Sequence, residues 1–88
     1  MKRTTEDKES LVTLGEKIRE IRLLKNLSQI KLATLLNTEK TNLSRLENGG
    51  TNPTFLTLKK VADILQVHLC DLIPFGDSEK QNNPKLSQ

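Results

Sequence analysis

The stretch Ser28-Gln29-Ile30-Lys31-Leu32-Ala33-Thr34-Leu35-Leu36-Asn37-Thr38-Glu39-Lys40-Thr41-Asn42-Leu43-Ser44-Arg45-Leu46-Glu47-Asn48-Gly49 decides how this chain folds. Ser28 is a good N-cap, and a helix is expected from Gln29 to about Leu36, with Ile30, Leu32, Ala33, Leu35 and Leu36 apolar. Asn37 stops it, because Asn tolerates the left-handed backbone that closes a helix. A second short helix is expected from about Lys40 to Glu47, with Leu43 and Leu46 as its only buried anchors. The run Asn48-Gly49-Gly50-Thr51-Asn52-Pro53 then breaks the chain. Ala33 puts a small residue on the inner face of the first helix, so the second can cross it steeply.

Outward from this pair the helical period continues. Leu11, Leu14, Ile18, Ile21 and Lys25 step by three and four residues, which predicts a helix over roughly 11–25, closed by Asn26. Downstream, Thr54 can cap a helix over about 55–65 with Leu58, Val61, Ala62 and Leu65 on one face. A short fifth helix is expected at 69–73, ended by Pro74. Residues 1–9 and 76–88 are polar and aperiodic and read as flexible tails around a single domain, 10–75. The expected fold is a compact all-α domain of five helices.

Eighty-eight residues fit one small domain. Leu, Ile, Val and Phe number 16, 5, 3 and 2, enough to predict a folded core rather than disorder. A chain this short buries only about 60–65% of its unfolded surface, so a second copy would add useful contacts. One Cys and one His exclude a disulfide framework and an all-protein structural zinc site, and no cofactor is expected. No apolar run long enough for a membrane span and no secretory signal is present, so a cytoplasmic protein with no membrane partner is expected. The net charge is +3, and the whole excess falls in residues 11–36: Lys17, Arg19, Arg22, Lys25 and Lys31 against Glu16 and Glu20. Such an excess fits a polyanion partner, and equally a solvated helix face.

The helix at 40–47 is more telling. It has two core anchors and leaves Lys40, Thr41, Asn42, Ser44 and Arg45 outside. A helix so polar needs a reason beyond the core, and insertion into the major groove of DNA is one. In these residues the sequence resembles the lambda-repressor-like (XRE-type) helix-turn-helix regulators, which include phage repressors and Cro proteins. The resemblance rests on Ile18-Arg19-Glu20-Ile21-Arg22, Leu27-Ser28-Gln29, Leu32-Ala33, Leu43-Ser44-Arg45-Leu46-Glu47-Asn48-Gly49 and Pro53-Thr54 through Leu58. Val61-Ala62, Leu65, Val67 and Leu72-Ile73 complete it, and it covers about 14–73. The family usually has Gly where this chain has Asn26, Asn37 and Gln66. The two Asn residues suit a positive φ; Gln66 predicts a strained or altered turn. Glu39 is a poor cap, so the third helix is allowed to start at Thr38 instead.

The resemblance implies a sequence-specific transcriptional regulator that binds double-stranded DNA. Glu39, Lys40, Thr41, Ser44 and Arg45 would read bases: Lys or Arg suits guanine, the Thr methyl suits thymine, and Glu39 suits cytosine N4 or repels phosphate. Ser28, Gln29, Asn42, Asn48, Thr51 and Thr54 would face phosphates, with Gly49 lending a backbone amide. For Ser28 a cap alone, and for the 48–54 loop its turn chemistry alone, are the bland alternatives. Arg22 and Glu47 would pair beneath the motif as a framework salt bridge, with Arg22 also near phosphate. His68 reads as a surface or capping residue and Cys70 as partly buried. A catalytic reading lacks a base, a third orienting group and a pocket, so no enzyme and no small-molecule ligand are expected.

The implied protein is a repressor or autoregulatory controller, binding a palindromic operator as a homodimer. Val67 to Phe75 is rich in large apolar residues, and Leu69, Ile73 and Phe75 are expected to form an exposed patch that pairs two copies. The alternative from another class is an antitoxin or other protein-interaction module. Its tail should carry apolar anchors, and 76–88 offers only Leu86.

Overall fold

The computed structural model describes residues 5–73, with the backbone alone at Thr5. The order is α1 (Thr5–Leu24), α2 (Gln29–Leu35), α3 (Lys40–Glu47), α4 (Phe55–Leu65) and a 3-10 turn at Leu69–Asp71. All the regular structure among the described residues is helical, and no helix there is long and apolar enough to cross a membrane. Residues 76–88, expected to be a tail, lie outside the described residues.

Two elements differ from expectation. α1 begins at Thr5, so part of the expected tail, 5–9, is helical. Glu6 and Asp7 place negative charge in the first turn, where it meets the positive end of the helix dipole. The expected helix at 69–73 is only a three-residue 3-10 turn, leaving four α-helices rather than five among the described residues. The His68 amide donates to Asp71 Oδ2 at 3.1 Å, and this closes the segment into one tight turn that drops Leu72 into the core.

All four helices end in the same way. After each, one residue takes positive φ: Asn26 (60°), Asn37 (59°), Gly49 (78°) and Gln66 (61°). In each case its amide bonds a carbonyl three residues back and the next amide reaches five back. The pairs are Asn26 to Leu23 with Leu27 to Arg22, Asn37 to Thr34 with Thr38 to Ala33, Gly49 to Leu46 with Gly50 to Arg45, and Gln66 to Asp63 with Val67 to Ala62. This is the Schellman closure, which satisfies carbonyls that a helix end leaves open. The turn at Gln66 is therefore unaltered in form, and Gln carries the steric cost of the left-handed region itself.

Leu14 and Ile18 of α1, Leu32, Ala33 and Leu36 around α2, Leu43 and Leu46 of α3, Val61, Ala62 and Leu65 of α4, and Leu72 make up the buried core. Leu11, Ile21, Leu27, Leu58, Val67 and Leu69 are half-buried against it. α2 packs on α3, and α1 crosses α3. That last crossing is close. A Cβ at Gly15 would lie 2.4 Å from the Leu46 carbonyl oxygen, and one at Gly49 would lie 2.7 Å from the Val12 Cα.

Candidate nucleic-acid interface

α3 starts at Lys40. Glu39 holds the N-cap position in an extended conformation, but its side chain makes no capping bond. Thr38 does not take over the cap; its Oγ1 accepts from Asn42 Nδ2 at 3.1 Å instead. Leu43, Leu46 and Glu47 face inward, while Glu39, Lys40, Thr41, Asn42 and Arg45 are exposed and Ser44 is half-buried. Of the five residues expected to read bases, Lys40, Thr41, Ser44 and Arg45 lie on the outer side of one two-turn helix and Glu39 stands at its N-cap. Among the described residues, none bonds the side chains of Lys40, Thr41 or Arg45, so these three are available to a partner across the surface.

The residues expected at phosphates fall in two places. At the start of α2, Ser28 Oγ accepts from the Lys31 amide at 3.0 Å, so its cap role is occupied. At the start of α4, Thr54 Oγ1 accepts from the Thr57 amide at 3.1 Å and sits 3.0 Å from Thr57 Oγ1. Asn48 is exposed and Thr51 half-buried in the loop between. A cleft of about 360 Å³ separates α3 from that loop and α4, and Asn42, Arg45, Thr51, Thr54, Thr57 and Lys60 line it. It brings one expected base reader, Arg45, to the expected phosphate residues Asn42, Thr51 and Thr54. Sequence reasoning does not find Thr57 and Lys60. Lys60 escapes it because Asp63 and Asp71 balance the local charge, although neither forms an ion pair with it.

Arg22 and Glu47 meet in a bidentate pair, Nε to Oε2 at 2.7 Å and Nη2 to Oε1 at 3.0 Å. They are 5% and 3% exposed, so the pair is screened from water. Arg22 Nη1 donates to the Leu27 carbonyl at 2.8 Å. Arg22 therefore points inward, toward Glu47 and the Leu27 carbonyl. Gln29 joins the pair: its Nε2 donates to Glu47 Oε1 at 2.9 Å. This contact is not legible in the sequence, since nothing in residue spacing tells which way a long amide turns. The four groups tie α1, the α1–α2 turn, α2 and α3 into one cluster.

The residues expected to pair two copies lie at or beyond the end of the described residues. Leu69 and Ile73 are half-buried, with Leu69 packed on the molecule's own core, and Phe75 lies outside the described residues. Among the described residues, the most exposed large apolar side chains are Leu24, Leu56, Phe55 and Ile30. Cys70 is exposed rather than partly buried. His68 stands at the N-cap of the turn, as a surface capping residue.

Known proteins share this fold. The helix-turn-helix family model HTH_3 matches residues 18–72. The control protein C.BamHI of Bacillus amyloliquefaciens is 39% identical over 62 residues, which is 69% of this chain and 76% of that protein. The crystal structure of the restriction-modification controller protein C.AhdI from Aeromonas hydrophila has a TM-score of 0.71 at 31% identity, covering 74% of this chain and 98% of that one. The DNA-binding domain of BldD has a TM-score of 0.70 at 26% identity, covering 76% of this chain and 97% of that one. The matched span holds α2, α3, the Arg22–Glu47 pair and α4 together, and the chain belongs to the XRE-type helix-turn-helix family of DNA-binding transcription regulators.

Proposed function

We propose that this protein binds a palindromic operator as a homodimer, with α3 in the major groove, and acts as a repressor or autoregulatory controller. The observation that carries this reading is the surface of α3. Two leucines and a paired Glu47 hold it down, and Lys40, Thr41 and Arg45 stand free on its outer side. Glu39, Lys40, Thr41, Ser44 and Arg45 contact base edges. Ser28, Gln29, Asn42, Asn48, Thr51 and Thr54 contact phosphate, and Lys60 adds a cation at the cleft beside them. The likeness to two controllers of restriction–modification systems supports the regulatory role.

The homodimer follows from the operator geometry: two copies place two recognition helices about 34 Å apart, one turn of DNA. The half-exposed parts of Leu69 and Ile73 remain for a second copy. Sedimentation of Leu69→Glu and Ile73→Glu variants with native helicity tests this surface. Variants and wild type that are monomers alike at tens of micromolar remove it.

Selection of bound sites from a random DNA pool tests the main reading. A two-fold-symmetric consensus is expected, and recovery of unselected sequence overturns it. Affinity should fall by about three decades or more between 50 and 200 mM salt if a dimer neutralises six or more phosphates. Lys40→Ala and Arg45→Ala should each cost about 1–3 kcal/mol on the consensus and relax base preference.

A further inference from the structure

We propose that Gln29 is a positioning residue, which locks the N-terminal end of α2 to the C-terminal end of α3 and so sets how sharply the domain tells its operator from other DNA. This rests on the reading of α3 as the base-reading helix. It gives Gln29 a task beyond phosphate contact.

α2 is seven residues long and its apolar anchors lie late. Leu32, Ala33 and Leu36 are buried, but Ile30 is 62% exposed and Lys31 is exposed. The first three residues of α2 therefore bury no apolar side chain of their own, and the nearest apolar holds are Leu27 just ahead and Leu32 one turn on. Two hydrogen bonds fix this stretch further, and both end on the same buried ion pair. Arg22 Nη1 grips the Leu27 carbonyl just ahead of the helix, and Gln29 Nε2 grips Glu47 Oε1. The acceptor is a carboxylate of a buried ion pair, so the hydrogen bond from the Gln29 amide is directional and stronger than one to a neutral acceptor. Without it, α2 can pivot about Leu32, Ala33 and Leu36, and its first turn loses its register to α3.

The Gln29 amide nitrogen has two N–H groups. One is used on Glu47, and the other can donate to a phosphate from the half-buried side chain. One residue then joins the DNA backbone to the frame that carries the base readers. A residue that touched phosphate and nothing else would affect every duplex alike. A residue that fixes the register between backbone and base contacts affects the matched duplex most, because only there are all the base contacts in place to be lost.

The test compares full-length wild type with Gln29→Met, Gln29→Ala and Gln29→Lys. Each is measured on the duplex recovered by site selection and on a base-shuffled duplex, at one salt concentration and well below each melting midpoint. Met keeps the length of the side chain and removes the donor. Lys keeps a donor for Glu47. The ratio of matched to shuffled affinity should fall about tenfold for Gln29→Met and Gln29→Ala, the scale of one charge-assisted hydrogen bond. Gln29→Lys should hold the ratio within about twofold while binding both duplexes more tightly. Equal losses on both duplexes for Met and Ala overturn the proposal and leave a phosphate contact alone. A lower melting temperature with both affinities unchanged overturns it in favour of a stability role. Wild type that does not prefer the matched duplex overturns the base-reading assignment and this proposal together, so the two failures are told apart.

Discussion

α4 turns Val61, Ala62 and Leu65 into the core and receives Leu72 from the 3-10 turn, whereas α3 offers Leu43 and Leu46 and then a charged Glu47. Apolar contact has no preferred direction, so a helix held that way can settle by small slides and rotations. A bidentate ion pair fixes both distance and plane. The helix proposed to enter the DNA groove is thus the one whose far end is set by directional bonds. A polar outer face leaves α3 too few apolar positions for anything else, and the buried pair makes good the shortage at the cost of desolvating two charges.

The sharpest way to break this contrast is Glu47→Ala. It leaves Arg22 buried without its carboxylate and should destabilise the fold by about 3–5 kcal/mol in urea denaturation. A loss under about 1 kcal/mol would mean that the pair is no anchor. On the apolar side, Leu65→Ala should cost about 3 kcal/mol by the same measurement, through lost burial and the cavity left behind. DNA preference, measured at a temperature where that variant is folded, should stay unchanged.

Gln66→Gly should stabilise by about 1 kcal/mol, read as a rise in the denaturation midpoint, because Gly meets no steric penalty at φ 61°. The same change at Asn26 should gain less, since Asn already tolerates that backbone. Smallest of all is the joint replacement Arg22→Met with Glu47→Leu, expected to lie near neutral in stability, since well-packed apolar pairs often match buried ion pairs. Its matched-to-shuffled DNA ratio should fall all the same. A double variant that keeps full preference would show that direction in the anchor does not matter.

Much of the fold is legible in the sequence. Ser28, Thr54 and the Asn stops are local signals, and α2 and α4 begin where their caps put them, whereas α3 begins at Lys40 without a side-chain cap. Arg22 and Glu47 come from resemblance; their spacing of twenty-five residues carries no local sign of contact. The early start of α1 escapes because periodicity counts apolar residues, and a helix that runs beyond the core needs none. Good helix formers such as Glu6, Lys8 and Glu9 sustain it without burial. The fifth helix is overread because apolar density at 67–75 says that a segment packs, and not whether it makes one turn or several. At the site, the polar face of α3 is plain, while the cleft with Lys60 and the Gln29 bond depend on how side chains from separate helices converge.

The close crossing of α1 over the end of α3 has a consequence for how the gene would answer to random mutation. At Gly15 and Gly49 the obstacle sits 2.4 and 2.7 Å from the first side-chain carbon, before any difference among residues begins. A saturation library should reject every replacement there in nearly equal measure, charged and apolar alike. At Arg22, a few residues along the same helix, rejection should instead be graded, with Lys and Met faring better than Asp. Two flat columns beside one sloped column would be the imprint of this crossing in sequence space, visible from survival counts alone.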